Sequence, residues 1–200
     1  GYDGKIIFAS NPSLHAHRID DQMKTFIAPF RGINVGGKNR LPMKELVAFL
    51  EVLGAREIKT YIQSGNVVFR SAERDTSKLS ARISLEIKKH RGFEPYVLVL
   101  GLDEIEKAIA ENPFPEAEAD PSTLHLGFLT CAPENPDLKK CERLKKESER
   151  FHLGASVFYL HAPEGVGRSK LAASVEKLLG VPMTYRNWRT VCIIREMAKA

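Results

Sequence analysis

The order of periodic segments in the first half of the chain constrains its fold more than any other feature. TFIAPFRG, residues 25–32, reads as a strand, with Pro29 pulling it toward a sheet edge or a strand end. A helix follows: Pro42 suits its first position, Met43, Leu46, Val47, Leu50 and Leu53 recur at helical spacing, and Gly54 supplies the stop. IKTYI (58–62) and NVVFR (66–70) read as strands joined tightly through Gln63, Ser64 and Gly65. Asp75 and Thr76 can cap a second helix with an apolar stripe of Leu79, Ile83 and Ile87, closed by Gly92, and PYVLVL (95–100) supplies a further strand. The succession β-α-β-β-α-β predicts a ferredoxin-like plait.

The second half repeats this order more loosely. LDEIEKAIAENPF (102–114) reads as a short helix with Asp103 and Glu106 as a cap pair, and the acidic, Pro-rich PFPEAEADPS (113–122) marks a boundary. STLHLGFLT, ASVFYLH and MTYR then read as strands, and DLKKCERLKKESER and SKLAASVEKLLG as helices. Phe151 to Leu153 is a candidate for the missing strand, and a terminal helix starts near Asn187. The expected class is therefore α+β, with two ferredoxin-like α/β-plait subdomains and antiparallel sheets. The expected divisions are a leader over 1–22, a first plait over 23–101, a connecting helix and boundary over 102–121, and a second plait over 122–200. Two similar-sized halves with one order suggest duplication of architecture, although no strong residue-level repeat links them.

Bulk properties narrow the function classes only slightly. With 200 residues, 43% of them hydrophobic, the chain can bury a sizeable core, and it has no apolar run long enough to cross a bilayer. Cys131, Cys141 and Cys192 are odd in number and widely spaced, which fits a reducing cytoplasm and neither a disulfide framework nor a Cys-x-x-Cys site. The net charge of +5 permits attraction to nucleic acid or phosphorylated ligands without requiring it. His15 and His17 lie in the leader, and the spacing of the remaining histidines matches no metal site, so neither metal nor cofactor is expected.

GINVGGKN, residues 32–39, tests for a P-loop. Gly32, Gly37 and Lys38 fit that pattern, but Asn39 stands where a Ser or Thr would hold magnesium. Leu41-Pro42 also delays the helix, and a plait lacks the parallel sheet that P-loop folds use. A working P-loop is not expected.

Four separated stretches, RGINVGGKNRLPMKEL, YIQSGNVVF, GVGRSKL and TYRNWRTV, together resemble the bacterial domain-of-unknown-function 1697 family (SP0830-like proteins). The resemblance covers about residues 23–198, leaving the leader outside, and Pro29 departs from the expected strand residue. It implies two ferredoxin-like subdomains and assigns no reaction.

Candidate ligand contacts fall in these stretches, each with a structural alternative. Arg31, Asn34, Gly36, Gly37 and Lys38 combine free backbone with positive charge and suit an anion; they equally suit a βα connection that needs positive φ. Gln63, Ser64 and Asn66 could read a ligand's donors and acceptors, or simply make a turn. Arg168, Ser169 and Lys170 at a helix start form a phosphate seat or an ordinary cap. Arg186, Asn187, Trp188 and Arg189 combine a stacking ring with two cations, although Trp188 also suits a core. GNVVF offers only Phe69 where an RNA-recognition strand uses several aromatics, and Phe26 and Phe30 share a parity that reads as core.

The leading expectation is a binder of a phosphate-bearing ligand, nucleic acid first. Lys38, Arg168, Lys170, Arg186 and Arg189 would supply charge and Trp188 a stacking surface. The alternatives are an enzyme on a small phosphorylated metabolite, with Asn34, Gln63 or Ser64 near the reacting group, and a protein-interaction module. No nucleophilic constellation is visible.

Overall fold

A computed structural model describes residues 20–62 and 65–200. Residues 1–19, most of the expected leader, with His15 and His17, and Gln63 and Ser64 of the expected tight connection lie outside the described residues. In the first half, β1 (Lys24–Arg31), α1 (Met43–Val52), β2 (Arg56–Tyr61), β3 (Asn66–Ser71) and α2 (Thr76–Arg91) are followed by two short pieces, β4 (Tyr96–Val97) and β5 (Leu100–Gly101). The sheet runs β2-β3-β1-β4, β5 also pairs with β1, and every pairing is antiparallel. This is the strand order of a ferredoxin-like plait.

Pro29 does not put β1 at an edge; the strand lies inside the sheet, and the edge strand beside it is interrupted. The Phe30 amide donates to the Gly65 carbonyl on the β3 side at 2.8 Å, so strand alternation turns the Pro29 nitrogen toward the opposite neighbour. That nitrogen has no proton, and the expected strand over 95–100 breaks there into β4 and β5. Leu98 N still donates to Pro29 O at 3.3 Å across the break.

The second half contains α3 (Leu102–Ala110), β6 (Leu124–Leu129), α4 (Leu138–Leu144), β7 (Arg150–Leu153), β8 (Val157–His161), α5 (Lys170–Leu179), β9 (Met183–Asn187) and α6 (Trp188–Lys199). Its sheet runs β7-β8-β6-β9, the same order as the first, and is also antiparallel. Two local expectations are corrected. The helix expected over 137–150 stops at Leu144, because Lys145 is extended and the buried Glu149 turns back to accept from Lys146 N at 3.0 Å. At the start of α3, Glu104, and not the Asp103–Glu106 pair, accepts from Gly101 N at 2.8 Å. A 3-10 turn, Pro115–Ala119, joins the halves, with Phe114 and Ala117 anchored in a core.

Strand parity sorts the apolar side chains into three cores. Phe26, Ala28, Phe30, Val67 and Phe69 face α1 and α2, while Phe158, Leu160 and Met183 face α4 and α5. The third core lies between the sheets, where Ile27 and Val68 of the first meet Leu126 and Tyr159 of the second, with α3 and α6 between them. The Tyr159 hydroxyl donates to Ala108 O at 2.7 Å, satisfying its one polar group inside this layer. Each sheet is therefore covered on both faces.

Candidate functional site

The glycine-rich loop folds as a miniature hairpin. Gly36 and Gly37 both take positive φ, 58° and 74°, and Lys38 N donates to Val35 O at 3.1 Å, the geometry of a two-residue type I′ turn. Two asparagines close its base. Asn34 accepts from Leu41 N and donates to Leu41 O, both at 2.8 Å, and Asn39 Nδ2 donates to Gly32 O at 2.9 Å. The loop's special residues thus hold its shape, and the tip presents Lys38 and the 64% exposed Val35 to solvent.

Beside that loop lies a hollow of about 660 Å³, lined by Asn34, Arg40, Pro42, Met43, Lys44 and Arg91. Pro42 is the N-cap of α1 and not its first helical residue, and no side chain caps this helix. The Glu45 amide already donates to Pro42 O at 3.0 Å, which leaves the Met43 and Lys44 amides without intrahelical acceptors at the positive end of the helix dipole. The one acidic residue of this turn, Glu45, is held by Arg91 at 3.0 Å. Arg40 and Lys44 make no ion pair among the described residues, so the hollow is strongly positive.

A second convergence forms the seam between the plaits. Arg186, on β9, donates Nε to Asn66 Oδ1 at 2.6 Å, Nη1 to Tyr185 O at 2.8 Å, and Nη2 to Phe30 O at 2.5 Å and Gly65 O at 3.3 Å. Four acceptors from β1, the β2–β3 connection, β3 and β9 thereby meet on one guanidinium. All four are uncharged, and burial pushes the Arg186 pKa down to about 10. Asn66 is 1% exposed and also donates to Tyr61 O at 3.1 Å.

Nearby, Arg31 forms a two-pronged pair with Glu176 of α5 and donates Nη1 to Met183 O at 2.7 Å. Glu176 also accepts from Met183 N at 3.2 Å. The bond from Arg31 chiefly holds the Glu176 carboxyl below the usual carboxylate range, and the same pairing raises the Arg31 pKa. These groups line a cavity of about 390 Å³ with Ala172, Ala173, Met183 and Tyr185.

Three more of the sequence candidates have structural roles. Ser169 caps α5 by accepting from Ala172 N at 3.0 Å, and Asn187 caps α6 by accepting from Thr190 N at 2.9 Å. Trp188 is 7% exposed within the core between the sheets, so its ring offers no face for a base to stack on. Arg168, Lys170 and Arg189 are exposed and line neither cavity. Sequence reasoning missed Arg40, Lys44 and Arg91 in the hollow; the visible signal was a pair of cations flanking the Pro42 helix start. It also missed Glu176 and Tyr185, whose placement depends on contacts between the halves. Among the described residues no cluster of three His, Cys, Asp or Glu side chains could hold a metal ion, and no helix is long and apolar enough to cross a membrane.

The fold and the seam define an α+β protein of two ferredoxin-like plaits closed against each other. The chain belongs to the family described as "Protein of unknown function (DUF1697)", whose pattern matches residues 23–159. It is similar to the conserved bacterial protein SP0830 from Streptococcus pneumoniae, with 27% identity and a TM-score of 0.65 over 88% of this chain and 99% of that one. No curated protein matches the chain.

Proposed function

We propose that this protein binds a phosphate-bearing ligand, nucleic acid in the first instance, at the basic hollow beside α1. The observation that carries this reading is the uncapped start of α1 opening between Arg40, Lys44 and Arg91. A phosphate there would receive backbone amides from the helix and charge-assisted bonds from the side chains, two contributions that reinforce each other. The exposed Lys38, on the loop beside the hollow, adds to the local positive charge, while the exposed Arg168, Lys170 and Arg189 add to the positive charge of the surface as a whole. Arg186 and Trp188 drop out of the contact set, since one is committed to the seam and the other to the core.

The mode of binding follows from what surrounds the hollow. No aromatic ring lines it among the described residues. Recognition would therefore run through phosphates and not stacked bases, giving weak sequence preference and steep salt dependence. Fluorescence anisotropy of a labelled mixed-sequence single-stranded RNA at two salt concentrations tests this. Saturable binding is expected, with the Arg40→Gln, Lys44→Gln double variant weaker and its salt slope shallower by about 0.7 for each phosphate it no longer neutralises. Absence of binding at low salt would remove nucleic acid; a saturable calorimetric response to inorganic pyrophosphate, abolished in the same variant, would then assign the hollow to a small phosphorylated ligand.

A further inference from the structure

The seam cavity contains a cation that the rest of the protein does not neutralise. Arg186 has five N–H groups, of which four serve neutral oxygens, leaving one N–H on Nη1 without an acceptor among the described residues. A guanidinium largely removed from water with no carboxylate partner is costly, and an anion placed against it recovers part of that cost. Arg31, on the same cavity, is already paired with Glu176. The lining thus holds two guanidiniums and one carboxylate, an excess of a single positive charge.

We infer that this cavity is a binding site for a small monocarboxylate carrying an apolar body, distinct from the phosphate site proposed at α1. One negative charge balances the lining. A planar carboxylate matches guanidinium geometry, with Arg186 Nη1 and the exposed edge of Arg31 as donors. The Tyr185 ring and the small Ala172 and Ala173 form walls that suit an apolar body better than a hydrated ion. Ala172 and Ala173 matter because their size keeps the space open: on α5, Ala172 flanks the stripe of Leu171, Val175 and Leu179 that is buried in the core, and Ala173 lies on the exposed side away from it.

Calorimetric titration of the whole protein with benzoate, with benzamide as the uncharged isostere and inorganic phosphate as the competing ion, tests the site. Benzoate should bind saturably and displaceably, while benzamide and phosphate should bind at least about tenfold more weakly, since each lacks either the charge or the apolar body. Three surface variants avoid disturbing Arg186. Ala173→Leu should fill the cavity and abolish the response, Arg31→Gln should weaken it, and Glu176→Gln, which raises the excess charge, should tighten it by about three- to tenfold. A merely structural seam would respond to none of these in opposite directions. No saturable benzoate binding, equal binding of benzamide, tighter binding of phosphate, or an affinity untouched by Ala173→Leu would each overturn the inference. The RNA experiment reads a different cavity, so its outcome does not decide this one.

Discussion

At the scale of single residues, Arg186 and Gly65 carry more of the structure than their neighbours. Replacing Arg186 by Leu strands the Asn66 side chain and the Phe30 and Gly65 carbonyls in the seam. The expected loss is about 3 kcal/mol by chemical denaturation. Arg186→Lys should recover little of it, because an ammonium cannot span acceptors arranged for a planar fork. Gly65 has φ +88°, and a Cβ there would lie 2.6 Å from Ile33 Cδ1 and 2.9 Å from Phe30 Cβ. Gly65→Ala is therefore expected to cost about 2–3 kcal/mol in the same assay. His125 adds a pH dependence. Burial lowers its pKa, with a hydrogen bond to the Thr123 backbone opposing, and its Nδ1 finds no well-placed partner among the described residues. Below the ordinary value of about 6.5 the unfolded chain takes a proton that the folded chain refuses, so stability falls as pH drops from about 7 toward the lowered folded value. His161, lowered by burial and then by Arg150, adds to this in the same window. Denaturation at several pH values should show a shallower decline for His125→Gln, whereas the loss linked to Glu176 belongs to more acidic conditions, as its lowered carboxyl is titrated.

At the scale of elements, α6 joins what the sequence pattern presents as separate halves. It begins directly after β9 of the second sheet, packs Trp188, Val191 and Ile194 into the shared core, and ends where Lys59 of β2 donates to Met197 O and Ala200 O at 3.2 Å. A cation at that carbonyl end complements the helix dipole. Its start depends on Asn187, so Asn187→Ala should lower stability by about 1 kcal/mol in thermal or urea unfolding. This element also marks the limit of what was legible in the sequence. Local periodicity and capping residues located α1, α2, α5 and α6, because Asp75, Ser169, Asn187 and the glycines after α2 and α5 act within one turn of the backbone. The broken edge strand was not legible, since it needs Pro29 on β1 to face a partner about 70 residues away. The proposed site was hidden for the same reason. Asn34 and the paired glycines looked like ligand contacts but build a turn, and Arg91 reaches the hollow only because α2 ends beside the start of α1.

At the scale of the whole molecule, the closure of both sheets decides which functions are open to the fold. A plait that reads single-stranded RNA on its sheet needs an accessible face with aromatic rings. Here the two remaining faces cover each other through α3 and α6, and the aromatic residues there, Phe114, Phe128, Tyr159 and Trp188, are core residues. A ligand of the kind proposed would therefore be met at the ends and edges of the sheets, where the basic hollow and the seam cavity lie. The same closure implies that the halves depend on each other, since separating them would expose the middle core and the Arg186 acceptors together. Urea unfolding of the intact protein should then be a single cooperative transition. Trp188, the only tryptophan, reports the seam by fluorescence, while far-UV circular dichroism reports all helices and both sheets. The two curves are expected to coincide, and Arg186→Leu should shift both midpoints together. Fluorescence changing at lower urea than circular dichroism would instead mean that the seam opens while each plait stays folded. The faces now covered would then become accessible, and a ligand seated on a sheet would return as a competing mode of binding.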